Sequence, residues 1–179
     1  MTTTTVTSAR LLLRPLDDGD CTPDYVAWLE DPEVNQFLET RHQPQTLESV
    51  REFVRAVNAR DNEHLFGIFL REGARHIGNI KVGPVLARHP VADVSLLIGA
   101  RDCWGQGYAA EAIRAVSEHA FRHLGVRKLA AGMYVANQGS LRAFLKAGYR
   151  QEGHRRAHYL VGDQMSDVIE VGLLPADLA

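Results

Sequence analysis

A chain of 179 residues with 45% apolar and 23% charged side chains is long enough to bury one ordinary core and too short for two sizeable domains. A formal charge of −2, from 20 Lys and Arg against 22 Asp and Glu with no long block of one sign, argues against nucleic acid or an anionic membrane as partner. Two distant cysteines, Cys21 and Cys103, argue against a disulfide framework or a cysteine-based metal site and fit a reducing, cytoplasmic setting.

In chain order, "MTTTTVTSAR" has neither a basic n-region nor an apolar h-region, and "RLLLRP" is too short to span a bilayer, so no export or anchoring signal is expected. Met1 to Thr5 read as a frayed tail on one domain spanning 1–179. "VTSARLLLRPL" reads as a first strand ended by Pro15, and "TPDYVAWLEDPEV" as a short helix with Thr22 as N-cap and Pro23 at its first position. "TLESVREFVRAVNAR" carries a helical stripe of Leu47, Val50, Phe53, Val54 and Val57. The period then changes: "HLFGIFL", "HIGNIKVG" and "VADVSLLIG" are β-rich runs separated by turn segments, an antiparallel meander. "GYAAEAIRAVSEHAFRHLG" is a long helix closed by Gly125, "KLAAGMYV" a strand, and "NQGSLRAFLKAGY" a shorter helix closed by Gly148. Two more strands flank a Gly162-Asp163 turn. The resulting order β-α-α-β-β-β-α-β-α-β-β predicts an α+β fold with a mixed, largely antiparallel sheet of about seven strands and about four helices.

Between the apolar run "VSLLIGA" and the longest helix lies "CWGQGYAAEAI". Gly105 and Gly107 there permit a tight turn that leaves backbone N–H groups free at a helix N-terminus, an arrangement that holds phosphate. The plainer reading is a strand-to-helix turn that needs glycine for steric reasons alone. Asn137, at the head of the shorter helix, is a good N-cap whatever else it does. His119 and His123 stand four apart without an acidic or cysteine ligand nearby, and no metal site is expected. No His/Asp arrangement activates Cys103 by sequence, and it reads as filler.

With these elements and motifs the chain resembles the GCN5-related N-acetyltransferase (GNAT) superfamily, and within it the RimJ/RimL-like branch. The family's Gln/Arg-x-x-Gly-x-Gly/Ala signature falls on Trp104-Gly105-Gln106-Gly107-Tyr108-Ala109, with Trp104 in place of the usual Gln or Arg, as is typical of that branch. "NQGSLRAFLKAGY" is similar to the family's second helix motif, with Asn137, Ser140, Lys146, Gly148 and Tyr149 in register. The resemblance implies a splayed central strand pair and acetyl-CoA as donor, with CoA as product. It places the diphosphate on the glycine turn, pantetheine beside the main chain of Leu97, Ile98 and Gly99 and at or near the Asn137 side chain, and the sulfur near Ser140 and Phe144. Phe144 stands where many relatives carry a tyrosine that protonates the departing thiolate, so a phenolic acid is absent there and Ser140 or a water must serve. An alkylammonium of pKa near 10 must lose a proton before it attacks a thioester; Asp93 is the first candidate base, with Glu111 or a histidine of "GHRRAHY" next.

The expected activity is therefore acetyl transfer to a primary amine by direct attack in a ternary complex. The expected acceptor is a small-molecule amine or a protein N-terminus: first an amino sugar, free or nucleotide-linked, then an N-terminus, a polyamine or an antibiotic. Trp28, Asn35, Phe37, His154, Arg155, His158 and Tyr159 are candidate acceptor contacts, and the arginines of "GHRR" suit a nucleotide phosphate. The alternative is a non-catalytic acyl-CoA-binding or sensing module. A monomer or a homodimer fits equally.

Overall fold

The computed structural model describes residues 5–178, so of the expected tail all but Thr5 lies outside the described residues. Eight strands, β1 (Val6–Thr7), β2 (Leu11–Pro15), β3 (His64–Leu70), β4 (His76–Val82), β5 (Val91–Ile98), β6 (Lys128–Tyr134), β7 (Arg150–Val161) and β8 (Gln164–Leu173), form one sheet in the order β1-β2-β3-β4-β5-β6-β8-β7. Five α-helices cover it: α1 (Pro23–Glu30), α2 (Pro32–Asn35), α3 (Leu47–Asn58), α4 (Tyr108–His123) and α5 (Gln138–Lys146). Every strand pair is antiparallel except β5 with β6.

Two details depart from the sequence reading. The first predicted strand is a hairpin, β1 and β2, closed by the Ser8 N–H donating to Leu11 O at 3.0 Å. The predicted helix over "TPDYVAWLEDPEV" is broken at Asp31-Pro32. A residue before proline is pushed out of the helical region, and Asp31 is extended (φ −72°, ψ 117°), ending α1 while its carboxylate caps α2 by accepting the Glu33 N–H.

Side chains alternate between two cores. Phe66 and Ile68 of β3, Ile80 and Val82 of β4 and Ala92 and Val94 of β5 face α4 and α5 and join Ile113, Val116 and Phe144. Leu65 and Phe69 of β3 face the opposite side and join Tyr25, Leu29, Val50, Val54 and Val57 of α1 and α3. This period of two is what a sheet covered on both faces requires.

The β5–β6 pair decides the shape of the centre. Its register runs only Val91↔Lys128, Ala92↔Leu129 and Asp93↔Ala130. Beyond it β5 stays with β4 as far as Ile98, and β6 stays with β8 as far as Tyr134. A V-shaped gap opens in the sheet, with Asp93 and Ala130 at its apex.

Where β5 ends, Gly99 lets Trp28 of α1 lie against the backbone: a Cβ there would come within 2.0–2.4 Å of the indole. Gly99→Ala is expected to overpack this joint and destabilise the protein by about 1–3 kcal/mol, read as a lower urea midpoint; an unchanged midpoint would mean that Trp28 swings out at no cost.

Candidate active site

On the α4 side the chain leaves β5 through a 3-10 turn, Arg101–Cys103, and enters α4 through Trp104–Gly107. Gly105 (φ 74°) and Gly107 (φ 83°) are both left-handed, a conformation that disfavours any side chain. Among the described residues, the N–H groups of Gly105, Gln106, Gly107, Tyr108, Ala109 and Ala110 have no backbone or side-chain acceptor; the first bond of the helix is Glu111 N–H to Gly107 O, 3.1 Å. Two cations flank this row of donors. A Cβ at Gly107 would lie 3.6 Å from Arg10 Nη2 and 3.8 Å from Lys146 Nζ.

Arg10 gives no signal in the sequence because it stands about a hundred residues from the turn it supports. Its Nη1 donates to Gln106 O at 3.0 Å, its Nε to Glu111 Oε2 at 2.7 Å, and its guanidinium lies 4.3 Å from the Tyr108 ring centroid. Glu111 also accepts from the Ser8 hydroxyl and the Arg10 N–H. These bonds outweigh partial burial and hold its carboxyl below the ordinary range. Glu111 is thus an anchor between the β1–β2 turn and α4, which corrects its place as second candidate base.

The open edge of β5 carries the next part of the site. Asp93 O accepts from Gly83 N–H and Gly99 N–H donates to Ile77 O, both at 2.9 Å, so odd-numbered residues face β4. Main-chain groups of Leu96 and Ile98 therefore face the gap, and those of Leu97 and Gly99 do not. Of the three residues expected to line a ligand through the backbone, Ile98 alone turns its main chain to the gap, and Leu96 does the same. The Ile98 carbonyl already accepts from Trp104 Nε1 at 2.8 Å, which ties the motif's tryptophan to the strand and leaves the Ile98 N–H open. The Gln106 side chain folds back onto Asp102 O at 2.6 Å, so its main chain alone faces the turn.

On α5, Asn137 caps the helix by accepting the Ser140 N–H at 3.1 Å. Ser140 is half-buried, and its hydroxyl has no partner among the described residues. Phe144 is only 2% exposed, with its ring edge-on to Tyr149 at 4.9 Å, so it contributes wall rather than a polar contact.

Asp93 occupies the other face. It shares parity with Ser95 and Leu97, and Leu97 packs against the α1–α3 core, so Asp93 and Ser140 lie on opposite faces of the sheet with the gap between them. Surrounding protein desolvates the solvent-facing Asp93 carboxyl and raises its pKa; Glu170 pushes the same way and Lys81 opposes.

Further along that face, Tyr134 closes β6. Its hydroxyl donates to Glu39 Oε1 at 2.5 Å and accepts from Arg41 Nη2 at 3.0 Å, and its ring lies 5.8 Å from Phe37 and 5.2 Å from Tyr159. The sequence reading named Phe37 and Tyr159 but missed Tyr134, Glu39 and Arg41, which meet only in the fold. Of the other expected acceptor contacts, Trp28 packs on Gly99, Asn35 donates to Leu29 O at 2.7 Å, His154 bonds Asp167 at 2.7 Å, Arg155 is ion-paired with Glu170, and His158 lies beside Tyr159 with ring centroids 4.7 Å apart. Cys103 is buried with a raised thiol pKa, and no group of three potential ligands could hold a metal among the described residues. Nor is any described helix long and apolar enough to cross a membrane.

The profile of the acetyltransferase (GNAT) domain matches residues 10–150. The Bacillus subtilis protein named probable N-acetyltransferase YjcK is 29% identical over 119 residues, 66% of this chain and 65% of its own length, just under two thirds of that relative. Two solved structures share the fold: a spermidine N-acetyltransferase from Vibrio cholerae in complex with CoA and spermine (TM-score 0.84, 19% identity, 96% of this chain and 99% of that one) and the ribosomal L7/L12 α-N-protein acetyltransferase RimL in complex with CoA (TM-score 0.85, 18% identity, 98% and 100%). The unpaired donors at the turn, its left-handed glycines and the cations of Arg10 and Lys146 fit the diphosphate of CoA. With its domain matched over most of its length and a cradle suited to that donor, the chain belongs to the GNAT acetyltransferase family and is an acetyl-CoA-dependent N-acetyltransferase.

Proposed function

We propose that the protein acetylates a primary amine by direct attack within a ternary complex, with donor and acceptor meeting across the gap between β5 and β6. The observation that carries this reading is the end of the β5–β6 pairing at Asp93↔Ala130, which opens the sheet beside a carboxylate. Acetyl-CoA, when bound, supplies an acyl thioester whose thiol has an ordinary pKa of about 8.5 and so leaves readily near neutrality. Gly105, Gln106, Gly107, Tyr108 and Ala109 hold the diphosphate through main-chain N–H groups, helped by the start of α4, Lys146 and Arg10. Leu96 and Ile98 offer main-chain groups along the open strand edge, as an added strand would use them.

Asp93 takes the proton from the acceptor ammonium, directly or through a water. Its raised pKa suits the task, since a base closer in pKa to the amine it deprotonates has less of a deficit to overcome. Ser140 Oγ, uncommitted within the described residues, donates a hydrogen bond to the departing thiolate from the α5 side in place of the phenol that Phe144 lacks, and the thiolate, whose conjugate acid has an ordinary pKa of about 8.5, takes its proton from water. Asn137 keeps Ser140 in place by capping the helix that carries it.

The side chains of the acceptor face favour a cationic amine without a phosphate. Arg155, one of the arginines expected to meet a nucleotide, is committed to Glu170, and Glu39 is held by Tyr134 and Arg41, whereas the rings of Phe37, Tyr134 and Tyr159 suit an ammonium on an aliphatic or sugar frame. A polyamine or a free amino sugar therefore stands ahead of a nucleotide-linked sugar. The two similar structures bear the names of a polyamine enzyme and a protein N-terminal enzyme, and at 18–19% identity they speak for the fold alone.

Two substitutions test the parts separately. Gly107→Glu sets a carboxylate against the diphosphate position and is expected to raise the Kd for acetyl-CoA roughly 100-fold, about 3 kcal/mol at 1.4 kcal/mol per tenfold. Gly107→Ala, which carries only the backbone strain, serves as control, and calorimetric titration giving equal affinities for the two would deny the turn a role in binding charge. Asp93→Asn is expected to lower kcat/KM for the amine by about 10²–10⁴ while the Kd for acetyl-CoA stays near wild type. A carboxylate base acts only when ionised, so the wild-type rate rises with pH through the raised Asp93 pKa; the variant keeps only the limb of the amine and recovers toward pH 10. An unchanged rate and pH profile would move the base elsewhere.

A further inference from the structure

The β7–β8 ribbon carries a feature that pairing alone does not require. Its register passes from Arg155↔Val168 to Tyr159↔Ser166, so Arg156, Ala157 and His158 of β7 stand against Asp167 alone. At the centre of this bulge Ala157 has φ 49°, a left-handed conformation that costs an alanine energy and that glycine would adopt freely. What holds it is one carboxylate: Asp167 Oδ1 accepts the Ala157 N–H at 2.8 Å, and Asp167 Oδ2 lies 2.7 Å from His154 Nε2. The Ala157 bond, ahead of the His154 bond, keeps the Asp167 carboxyl below its ordinary pKa.

Just past the bulge, Tyr159 turns over the acceptor face. Its ring centroid lies 5.2 Å from that of the buried Tyr134, and His158 lies 4.7 Å from it on another side. Tyr134 in turn meets Phe37, giving a row of three rings from the α2–α3 connection, across the open end of β6, to the ribbon. Tyr159 is the exposed member, 43% accessible, so its ring can meet both a ligand and Tyr134. Three residues against one slip the register by two, so Tyr159 stands opposite Ser166, where a regular ladder would carry it on to face Gln164, two residues further along the same face.

We infer that Asp167 is a positioning residue for the acceptor: by holding the strained bulge at Ala157 it sets Tyr159 against Tyr134, and this pair of rings forms the wall that receives the acceptor amine's carbon frame. The inference rests on the reading of this face as the acceptor side. Strain kept at a non-glycine residue by a dedicated hydrogen bond is characteristic of a geometry that function requires. Asp167 itself touches no substrate in this scheme and moves no proton.

The test compares wild type, Asp167→Ala, Ala157→Gly and the double variant. Spermidine, glucosamine and a short peptide with a free N-terminus serve as acceptors, and NMR of ring-labelled tyrosine reports the Tyr134–Tyr159 contact. Asp167→Ala is expected to lose the ring contact and to raise KM for the amine that wild type acetylates by about tenfold or more, with KM for acetyl-CoA unchanged and kcat within about threefold. Ala157→Gly in that background relieves the strain and is expected to restore both the contact and most of the KM. A ring contact that survives in Asp167→Ala, or an amine KM that stays at the wild-type value once the contact is lost, overturns the inference. Wild type that acetylates none of the three amines overturns the acceptor reading beneath it, an outcome distinguished by appearing without any substitution.

Discussion

The centre of the molecule depends on a parallel pairing that stops after three residues. Val91, Ala92 and Asp93 match Lys128, Leu129 and Ala130, after which β4 holds one strand and β8 the other. A buried main-chain N–H or C=O without a partner is costly, so strands separate inside a core only where water, a side chain or a ligand fills the opening. Trp104 provides part of that filling by donating to the Ile98 carbonyl. The Leu96 edge and the Ile98 N–H are left for something outside the chain, and a row of six further N–H groups waits at the turn that follows. Strand edge and turn are thus two sets of open main-chain groups, joined by a hydrogen-bonded connection within the ten residues from Ile98 to Gly107.

The gap also divides the labour between two faces. On the α4–α5 face lie the glycine turn, Lys146, Arg10, Asn137 and Ser140, a set rich in donors and positive charge. On the other lie Asp93, Glu170, Glu39 and the three aromatic rings. Arg41, Arg155 and Lys81 offset much of the negative charge on the second face, and in the proposed reaction donor and acceptor meet at the opening between the two. Each face is stiffened by bonds that do no chemistry: Glu111 ties the first hairpin to α4, and Glu39 and Arg41 tie the α2–α3 connection to Tyr134.

What the sequence made legible was mostly local. Thr22 and Pro23 start α1, Gly125 and Gly148 close α4 and α5, and Gly162 turns the last hairpin, each acting through the backbone conformation of a few neighbours. The orientation of Asp93 could also be read, because in "VADVSLLI" the two polar residues share one parity and the buried Ala92 and Val94 the other. The break at Pro32 is signalled by the proline itself, while the turn between β1 and β2, built of Ser8, Ala9 and Arg10, has no glycine or proline to announce it. Arg10 beside Gly107 and Tyr134 beside Glu39 could not be found, since sequence separation of about a hundred residues leaves no pattern in a single chain. The main-chain donors at Leu96 were missed for another reason: they depend on which way the β4–β5 ladder alternates, and side-chain identity does not record that.

The most direct measurement is residue-resolved amide hydrogen exchange by NMR, with and without CoA. If the opened edge of β5 and the turn are one binding surface, CoA slows exchange at Leu96 and Ile98 together with Gly105 to Ala110, while Leu97 and Gly99, already bonded to β4, keep their rates. Protection confined to the turn, with Leu96 and Ile98 unchanged, would contradict the account, because the gap between β5 and β6 would then have no part in holding the donor.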